Sequence, residues 1–410
     1  MRILFLHQNF PGQFLSVADA LAAEGRHQLV VVTDAGNQRP DVLPTVRYRF
    51  ERDKLPVVPR TARPFLAATA RGEVVHGAMR HLKERGFEPD LVIGHLGWGE
   101  TLYVRDVWPK TKVLIHAEFY YSTEGADVGF DLEFDTPTTP VDTRVVRARN
   151  AAVLLAMDEA DRAIAPTRWQ ASRFPGSLAP KIVVQHEGIR TDVVKPNPNA
   201  SFTVPGTSLT FRPGDEALTF VNRNLEPYRG YHTFMRALPD ILAARPEAHA
   251  LIVGGDGVSY GSAAPQGQTW KEIFLAQVRD RLPMERVHFL GRVPYDQFVA
   301  LMQVSAAHVY LTYPFVLSWS LMEAMSAGAP IVASRTKPVE EMIEDGRTGL
   351  LFDFFDAGAL AARTIDVLAA PERHRAMRDA ARAHIVANYD LKTRCLPGWL
   401  DVVRATAAGR

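Results

Sequence analysis

Twice along this chain, short runs of β-branched and other apolar residues alternate with longer helical segments. The first series falls at residues 3–7, 29–33, 91–95, 113–116, 162–165 and 182–185. The second falls at 218–222, 250–253, 287–290, 308–312, 331–334 and 349–352. Strands of a parallel sheet are buried on both faces, so they read as continuous apolar runs rather than alternating ones. Runs of this kind separated by helices predict βαβ units. Six followed by six predicts two α/β domains of Rossmann-like type, over 1–195 and 215–388. Residues 196–214, rich in Pro, Asn, Ser and Thr, read as a linker. A helical pattern over 372–388 is followed by a second piece at 391–405, and the end of the chain, 389–410, is expected to cross back onto the first domain.

Length supports two domains, because 410 residues exceed one ordinary core. Composition excludes several classes. Net charge is +1, which leaves no electrostatic case for nucleic acid as a partner. Cys395 is the single cysteine, so intramolecular disulfides and cysteine-rich metal sites are excluded. The opening MRILFLHQNF reads as a strand rather than a signal peptide, and no apolar run approaches the length of a spanning helix. A cytoplasmic chain, or one resting on the inner membrane face, is expected.

Open parallel sheets bind ligands at the carboxyl ends of their strands, so the loops after each strand are where chemistry is sought, with the cleft between two such domains as the expected site. The segment 313–352, YPFVLSWSLMEAMSAGAPIVASRTKPVEEMIEDGRTGLLF, concentrates the signals. A strand runs into a turn, and a helix starts near Ser318 and carries Glu323. A helix N-terminus offers unpaired N–H groups and a positive dipole end to an anion. A carboxylate further along the helix can accept hydrogen bonds from vicinal hydroxyls. Apolar neighbours (Leu321, Met322, Ala324, Met325) bury much of this helix, and a buried carboxylate needs partners. Phosphate plus diol points to a nucleotide or a nucleotide-activated sugar. Arg223 and Arg229, on a strand-to-helix loop, suit a diphosphate, because guanidinium groups present forked donors.

The runs SLMEAMSAGAPIVAS and GRTGLLF, with the earlier VNRNLEPYRGYHTFMRAL, together resemble the family 4 glycosyltransferases of the GT-B fold. The resemblance covers nearly the whole chain and is strongest from 220 to 352. It implies that Arg223 and Arg229 bind the donor diphosphate, with Arg229 where relatives usually carry lysine. It implies that Glu323 binds the ribose hydroxyls, and that the backbone from Leu317 through Ser318 and Trp319 to Ser320 faces phosphate and sugar. It also implies that Arg292 and Val293, after the strand at 287–290, lie by the base. Relatives usually carry a second glutamate eight residues before Glu323, near the donor sugar. Here that residue is Phe315, which cannot accept a hydroxyl but can stack on a sugar's apolar face.

On the N-terminal side the resemblance points to Gly12, in the loop after the first strand, and to His116, at a strand end facing the donor sugar. His95 ends the preceding strand, and its loop (Gly97, Trp98, Gly99, Glu100) suits acceptor contact through His95 and Trp98. Glu187-Gly188-Ile189-Arg190 reads as turn geometry rather than chemistry. Residues 258–270 form a connection longer than usual, read either as a flap near the base or as a surface excursion. Basic stretches at 60–63, 71–85 and 144–149 read as solvated faces or, as in relatives with lipid-linked acceptors, as contacts to anionic head groups.

The resemblance implies transfer of a sugar from a nucleoside-diphosphate sugar to a glycan, lipid-linked or other hydroxyl acceptor, with retention and without a cofactor or metal. No Asp-x-Asp motif stands where a metal-bridged diphosphate would need one; the pair in Asp353-Phe354-Phe355-Asp356 differs in spacing and position. Two other readings stay open at this stage. One is a nucleotide-sugar-binding protein with little transferase activity. The other is a nicotinamide-dependent dehydrogenase, against which stands HQNFPGQF where a glycine fingerprint would be required.

Overall fold

The computed structural model describes residues 1–134 and 143–409. It divides into two compact units, Met1–Gly188 with Lys392–Arg410, and Ile189–Leu391. The first unit contains a seven-stranded sheet formed by β1 (Arg2–Leu6), β2 (Gln28–Asp34), β3 (Thr45–Tyr48), β4 (Leu91–His95), β5 (Lys112–His116), β6 (Arg162–Ala165) and β7 (Ile182–Val184). Its order is β3-β2-β1-β4-β5-β6-β7, and every pairing is parallel. The second unit holds β8 (Phe202–Thr203) and β9 (Thr210–Phe211), an antiparallel pair. It also holds a parallel six-stranded sheet of β10 (Ala217–Asn224), β11 (His249–Gly255), β12 (Val287–Gly291), β13 (Ala307–Tyr310), β14 (Ile331–Ser334) and β15 (Leu350–Phe352), in the order β12-β11-β10-β13-β14-β15.

Both sheets are the doubly wound α/β type expected from the apolar runs, with the strand order reversing beside β1 and beside β10. The core strands are buried on both faces. Ile3, Leu4, Phe5 and Leu6 of β1 are fully buried, as are Leu218 and Phe220 of β10.

Two local expectations are corrected. β3 (TVRY) is an edge strand whose apolar content is too low to read as buried. Residues 196–214 are not a free linker. β8 and β9 lie within them, and Phe202 and Phe211 are 2% and 4% exposed in the core of the second unit. The chain end does return to the first unit. The helix Leu396–Ala407 places Trp399, Val402 and Val403 in one cluster with Ile3, Phe5, Phe14 and Leu114. The last residue expected in this helical piece, residue 410, lies outside the described residues.

His308 of β13 illustrates what full burial does to a titratable group. Its Nδ1 shares a hydrogen bond of 2.9 Å with the Thr219 hydroxyl, and burial pushes its pKa down to about 3 from 6.5. Between those two values the unfolded chain holds a proton that the folded chain refuses, so stability falls as pH drops through that window. We expect His308→Asn to flatten the loss of urea stability between about pH 6 and 4, by up to about 1.4 kcal/mol per pH unit. An unchanged slope would show that this histidine takes up a proton in the folded state.

Candidate active-site residues in the two units

In the second unit the chemistry gathers at the carboxyl ends of β10 and β13. Arg223, still within β10, is exposed. Arg229 sits at the end of a 3-10 turn, Pro227–Arg229, and is buried at 6% exposure. Its Nη1 donates to the Thr312 hydroxyl at 2.6 Å and to the Val316 carbonyl at 3.1 Å, so both bonds go to neutral oxygens. Burial opposes the charge, but the oxygens of Tyr310, Tyr260, Tyr228 and Glu226 around it raise the guanidinium's hold on its proton. The two arginines of the loop are thus unequal: one is a fixed, partly desolvated cation and the other a solvated one.

Gly230 makes that turn possible. It adopts φ +68° at the N-cap of the helix Tyr231–Ala244, and a Cβ there would lie 2.3 Å from Leu311 Cβ. Left-handed backbone and overpacking both oppose a side chain. Gly230→Ala is therefore expected to cost about 3 kcal/mol in urea unfolding, where a surface glycine such as Gly267 can be replaced with only the cost of its own φ.

After β13 the chain turns through 311–318 into the helix Trp319–Ala327. The Ser318 hydroxyl caps this helix by accepting from the Ser320 N–H, and the Ser318 N–H donates to the Tyr310 hydroxyl at 2.9 Å. Of the N–H groups expected to face a phosphate between Leu317 and Ser320, these two are therefore engaged within the turn. Leu317 is 7% exposed in the core, and Trp319 is 41% exposed. Glu323 stands on the same helix. Burial raises its pKa, and Tyr295 donates its hydroxyl to Oε1 at 2.7 Å. Tyr295 opens the helix Tyr295–Val304, just after Arg292 and Val293 in the turn that follows β12, and Arg292 is exposed.

Phe315 departs from its expected role. It is 3% exposed, packed edge-on against Tyr228 with ring centroids 5.2 Å apart and 5.0 Å from Tyr260. Neighbouring aromatic rings cover it, so it does not present an open face to a sugar.

In the first unit, the register of the sheet builds a column of rings. His95 of β4 pairs with His116 of β5, so both side chains leave the same sheet face. Trp98, His95, His116 and Trp399 stack in that order, at 4.2, 5.2 and 6.1 Å between centroids and 11–22° between planes. His7 follows β1 and meets His95 and Trp98 edge-on at 5.6 and 5.1 Å. Gly12, at φ +49°, lies over His7, and a Cβ there would come within 2.6 Å of the imidazole. The glycine permits this close approach as well as the turn.

Hydrogen bonds fix the tautomers of two of these rings. His7 Nδ1 accepts from the Asn9 N–H, and His95 Nδ1 accepts from the Gly97 N–H. Each neutral ring therefore carries its proton on Nε2. His7 Nε2 then donates to Gln13, whose amide donates to Glu118 at 3.2 Å, and His95 Nε2 lies 3.5 Å from the other Glu118 oxygen. Burial pushes the Glu118 carboxyl up, but His95, with His116 and His7 behind it, more than reverses this and holds it at about 2. Burial, reinforced by His95, pushes His7 down to about 3. His116 Nε2 sits 2.6 Å from Glu187 Oε1. That contact corrects the reading of residues 187–190 as turn geometry alone, because Glu187 is a buried carboxylate that orients His116. Glu100, expected by the acceptor, is fully buried instead. It accepts from Tyr48 at 2.9 Å and lies 3.6 Å from Arg71, which is not part of a solvated face either.

Sequence reading also missed Glu226, Tyr260 and Tyr295. Asp353 and Asp356 have structural work: Asp353 accepts from the Phe355 N–H, and Asp356 caps the helix Ala357–Ala369. Among the described residues, no helix is long and apolar enough to cross a membrane.

Two parallel α/β units with this order of strands fit the GT-B class of glycosyltransferase fold, and the comparisons bear this out. Residues 25–194 match the family described as "Glycosyl transferase family 4 group", and residues 208–384 match "Glycosyl transferases group 1". The chain belongs to the family 4 glycosyltransferases of the GT-B fold. It is 27% identical over 284 residues to a GDP-mannose-dependent alpha-(1-6)-phosphatidylinositol monomannoside mannosyltransferase of Mycolicibacterium smegmatis, covering 67% of this chain and 66% of that protein. It is 26% identical over 301 residues to a D-inositol 3-phosphate glycosyltransferase of Streptomyces scabiei, covering 71% of this chain and 61% of that one. The matches thus span a little under two thirds of those relatives' lengths. Among solved structures, sucrose-phosphate synthase from Thermosynechococcus elongatus superposes with a TM-score of 0.73 at 19% identity over the full length of both chains. Anabaena HepE in complex with UDP gives 0.69 at 19% identity, covering 99% of this chain and all of the other. At these identities both are similar in fold.

Proposed function

We propose that this chain transfers a glycosyl group from a nucleoside-diphosphate sugar to a hydroxyl of a glycan or lipid-linked acceptor, with retention at the anomeric carbon and without a divalent metal. The observation that carries the reading is Arg229, a buried cation whose two hydrogen bonds go to neutral oxygens, close in the fold to the Ser318-capped turn that leads into the Glu323 helix. A desolvated guanidinium of this kind is matched to a multiply charged anion. The relatives whose names specify a mannosyl or glycosyl transfer support the class of reaction, and the UDP complex of a protein of similar fold supports the class of donor.

In the proposed reaction the acceptor oxygen forms a bond to the anomeric carbon as the bond from that carbon to the diphosphate oxygen breaks. The electron pair leaves on the diphosphate, which takes the acceptor's proton on the same face. Arg229 and Arg223 stabilise the charge that develops on the leaving oxygen. Glu323 holds the ribose through its carboxylate. In the first unit, Glu187 orients His116 and the Glu118 carboxylate stands beside His95, where it can accept from a sugar hydroxyl.

The test is incubation of the purified protein with UDP-, GDP- and ADP-hexoses, with and without glycan and lipid-extract acceptors, in buffer containing EDTA. Release of nucleoside diphosphate with a product of unchanged anomeric configuration is the expected result. Binding of donor without any release, or release only after a divalent ion is restored, would contradict the corresponding part of the proposal.

A further inference from the structure

The connection over 258–269 is fastened to the strand β10 turn more firmly than a surface excursion requires. Glu226 is fully buried, and its carboxylate accepts from the backbone N–H of Ser259 at 3.2 Å, of Tyr260 at 3.5 Å and of Gly261 at 3.2 Å. Asn224 adds a bond from Nδ2 to the Ser259 hydroxyl at 2.7 Å. A buried carboxylate is costly unless its lone pairs are used. Here they are used by the strap, and Arg229, three residues along, keeps bonds to neutral oxygens only.

What covers the Arg229 guanidinium is the ring of Tyr260, with Cζ 5.1 Å from its centroid. The same ring lies 5.0 Å from Phe315 and 5.7 Å from Tyr228, yet Tyr260 is 40% exposed. A ring over a guanidinium engages its face and leaves the in-plane N–H edge for oxyanions. A clamped ring that lies over the buried cation and is still 40% exposed is placed to act on whatever that cation binds.

We propose that Tyr260 is a positioning residue for the donor. Held by Glu226, its ring fixes the plane of Arg229 toward the diphosphate, and its open side, with Phe315 behind it, forms an aromatic wall for the group attached to that diphosphate. The inference rests on the donor reading above and adds to it a residue that sets the plane of the diphosphate-binding cation.

The experiment is titration calorimetry with UDP, GDP and ADP, and a parallel NMR titration with uridine, guanosine and adenosine, on the full chain and on Tyr260→Ala, Tyr260→Phe and Glu226→Gln. Tyr260→Ala is expected to weaken the diphosphate that the wild type binds by about tenfold, while the matching nucleoside is unaffected and Tyr260→Phe stays within about twofold. Glu226→Gln should produce the same selective loss, together with faster hydrogen exchange at 259–261. Tyr260→Ala with wild-type diphosphate affinity, or with equal loss of nucleoside and diphosphate, would overturn the role of Tyr260 while leaving the donor reading intact. A wild-type chain that binds none of the three diphosphates would overturn both.

Discussion

Arg229→Ala is expected to lower kcat/KM for sugar transfer by about 10²–10³-fold, the range seen when one preorganised donor to a developing oxyanion is removed. Arg229 is buried, bonded to Thr312 and Val316 with the Tyr260 ring over it, so its charge acts where water screens it poorly. Arg229→Lys should recover part of the loss, because the charge returns but the fork of donors does not. Arg223→Ala should cost less than about tenfold, because Arg223 is exposed and its charge is screened. The measurement is initial-rate kinetics on the donor identified by the panel, with circular dichroism to establish that each variant is folded. Equal losses at the two arginines would show that burial does not set their roles.

Glu323→Ala carries the second large effect. Hydrogen bonds to a charged carboxylate contribute about 1.5–3 kcal/mol each. Removing the carboxylate should therefore raise the Kd of the preferred nucleoside diphosphate by roughly 10–100-fold. The effect should depend on the ribose. The wild type should disfavour the 2′-deoxy nucleotide, and Glu323→Ala should bind both nearly alike. Burial raises the Glu323 pKa, so its acceptor capacity is lost on acidification earlier than for an ordinary glutamate. Nucleotide affinity should then fall as pH drops through that raised value, in the wild type and not in the alanine variant. Tyr295→Phe, which removes the 2.7 Å hydroxyl donor to Oε1, should raise the Glu323 pKa further and move the fall to higher pH.

The fold was legible because parallel strands buried on both faces write themselves as apolar runs; β1, β4 and β14 needed no tertiary information. β3 and the β8–β9 pair were not, since an edge strand and two-residue strands carry too few apolar positions to stand out. Arg229 and Glu323 in the second unit, and His95 and His116 in the first, were visible as charged or polar residues beside strand ends and glycine turns. Their partners were not. Tyr295 reaches Glu323 across 28 positions, Glu187 reaches His116 across 71, and Glu226 reaches the 259–261 strap across 33–35. Only the last of these joins the ends of neighbouring strands, β10 and β11; the other two reach past intervening strands of the sheet, and none of the three shows as local spacing. Phe315 failed as a reading for the same reason. Its sequence position is that of a sugar contact, but packing with Tyr228 and Tyr260 decides what its ring can touch.

The most direct test of the account is thermal unfolding of the wild type and of Glu323→Ala with UDP, GDP, ADP, CMP and NAD. A ligand present at about a hundred times its Kd adds about 2.7 kcal/mol to the state it binds. One nucleoside diphosphate is expected to raise the wild-type melting temperature, NAD is not, and in Glu323→Ala the shift at the same concentration should shrink to about half or less. A shift by NAD alone, or no shift by any nucleoside diphosphate, would contradict it.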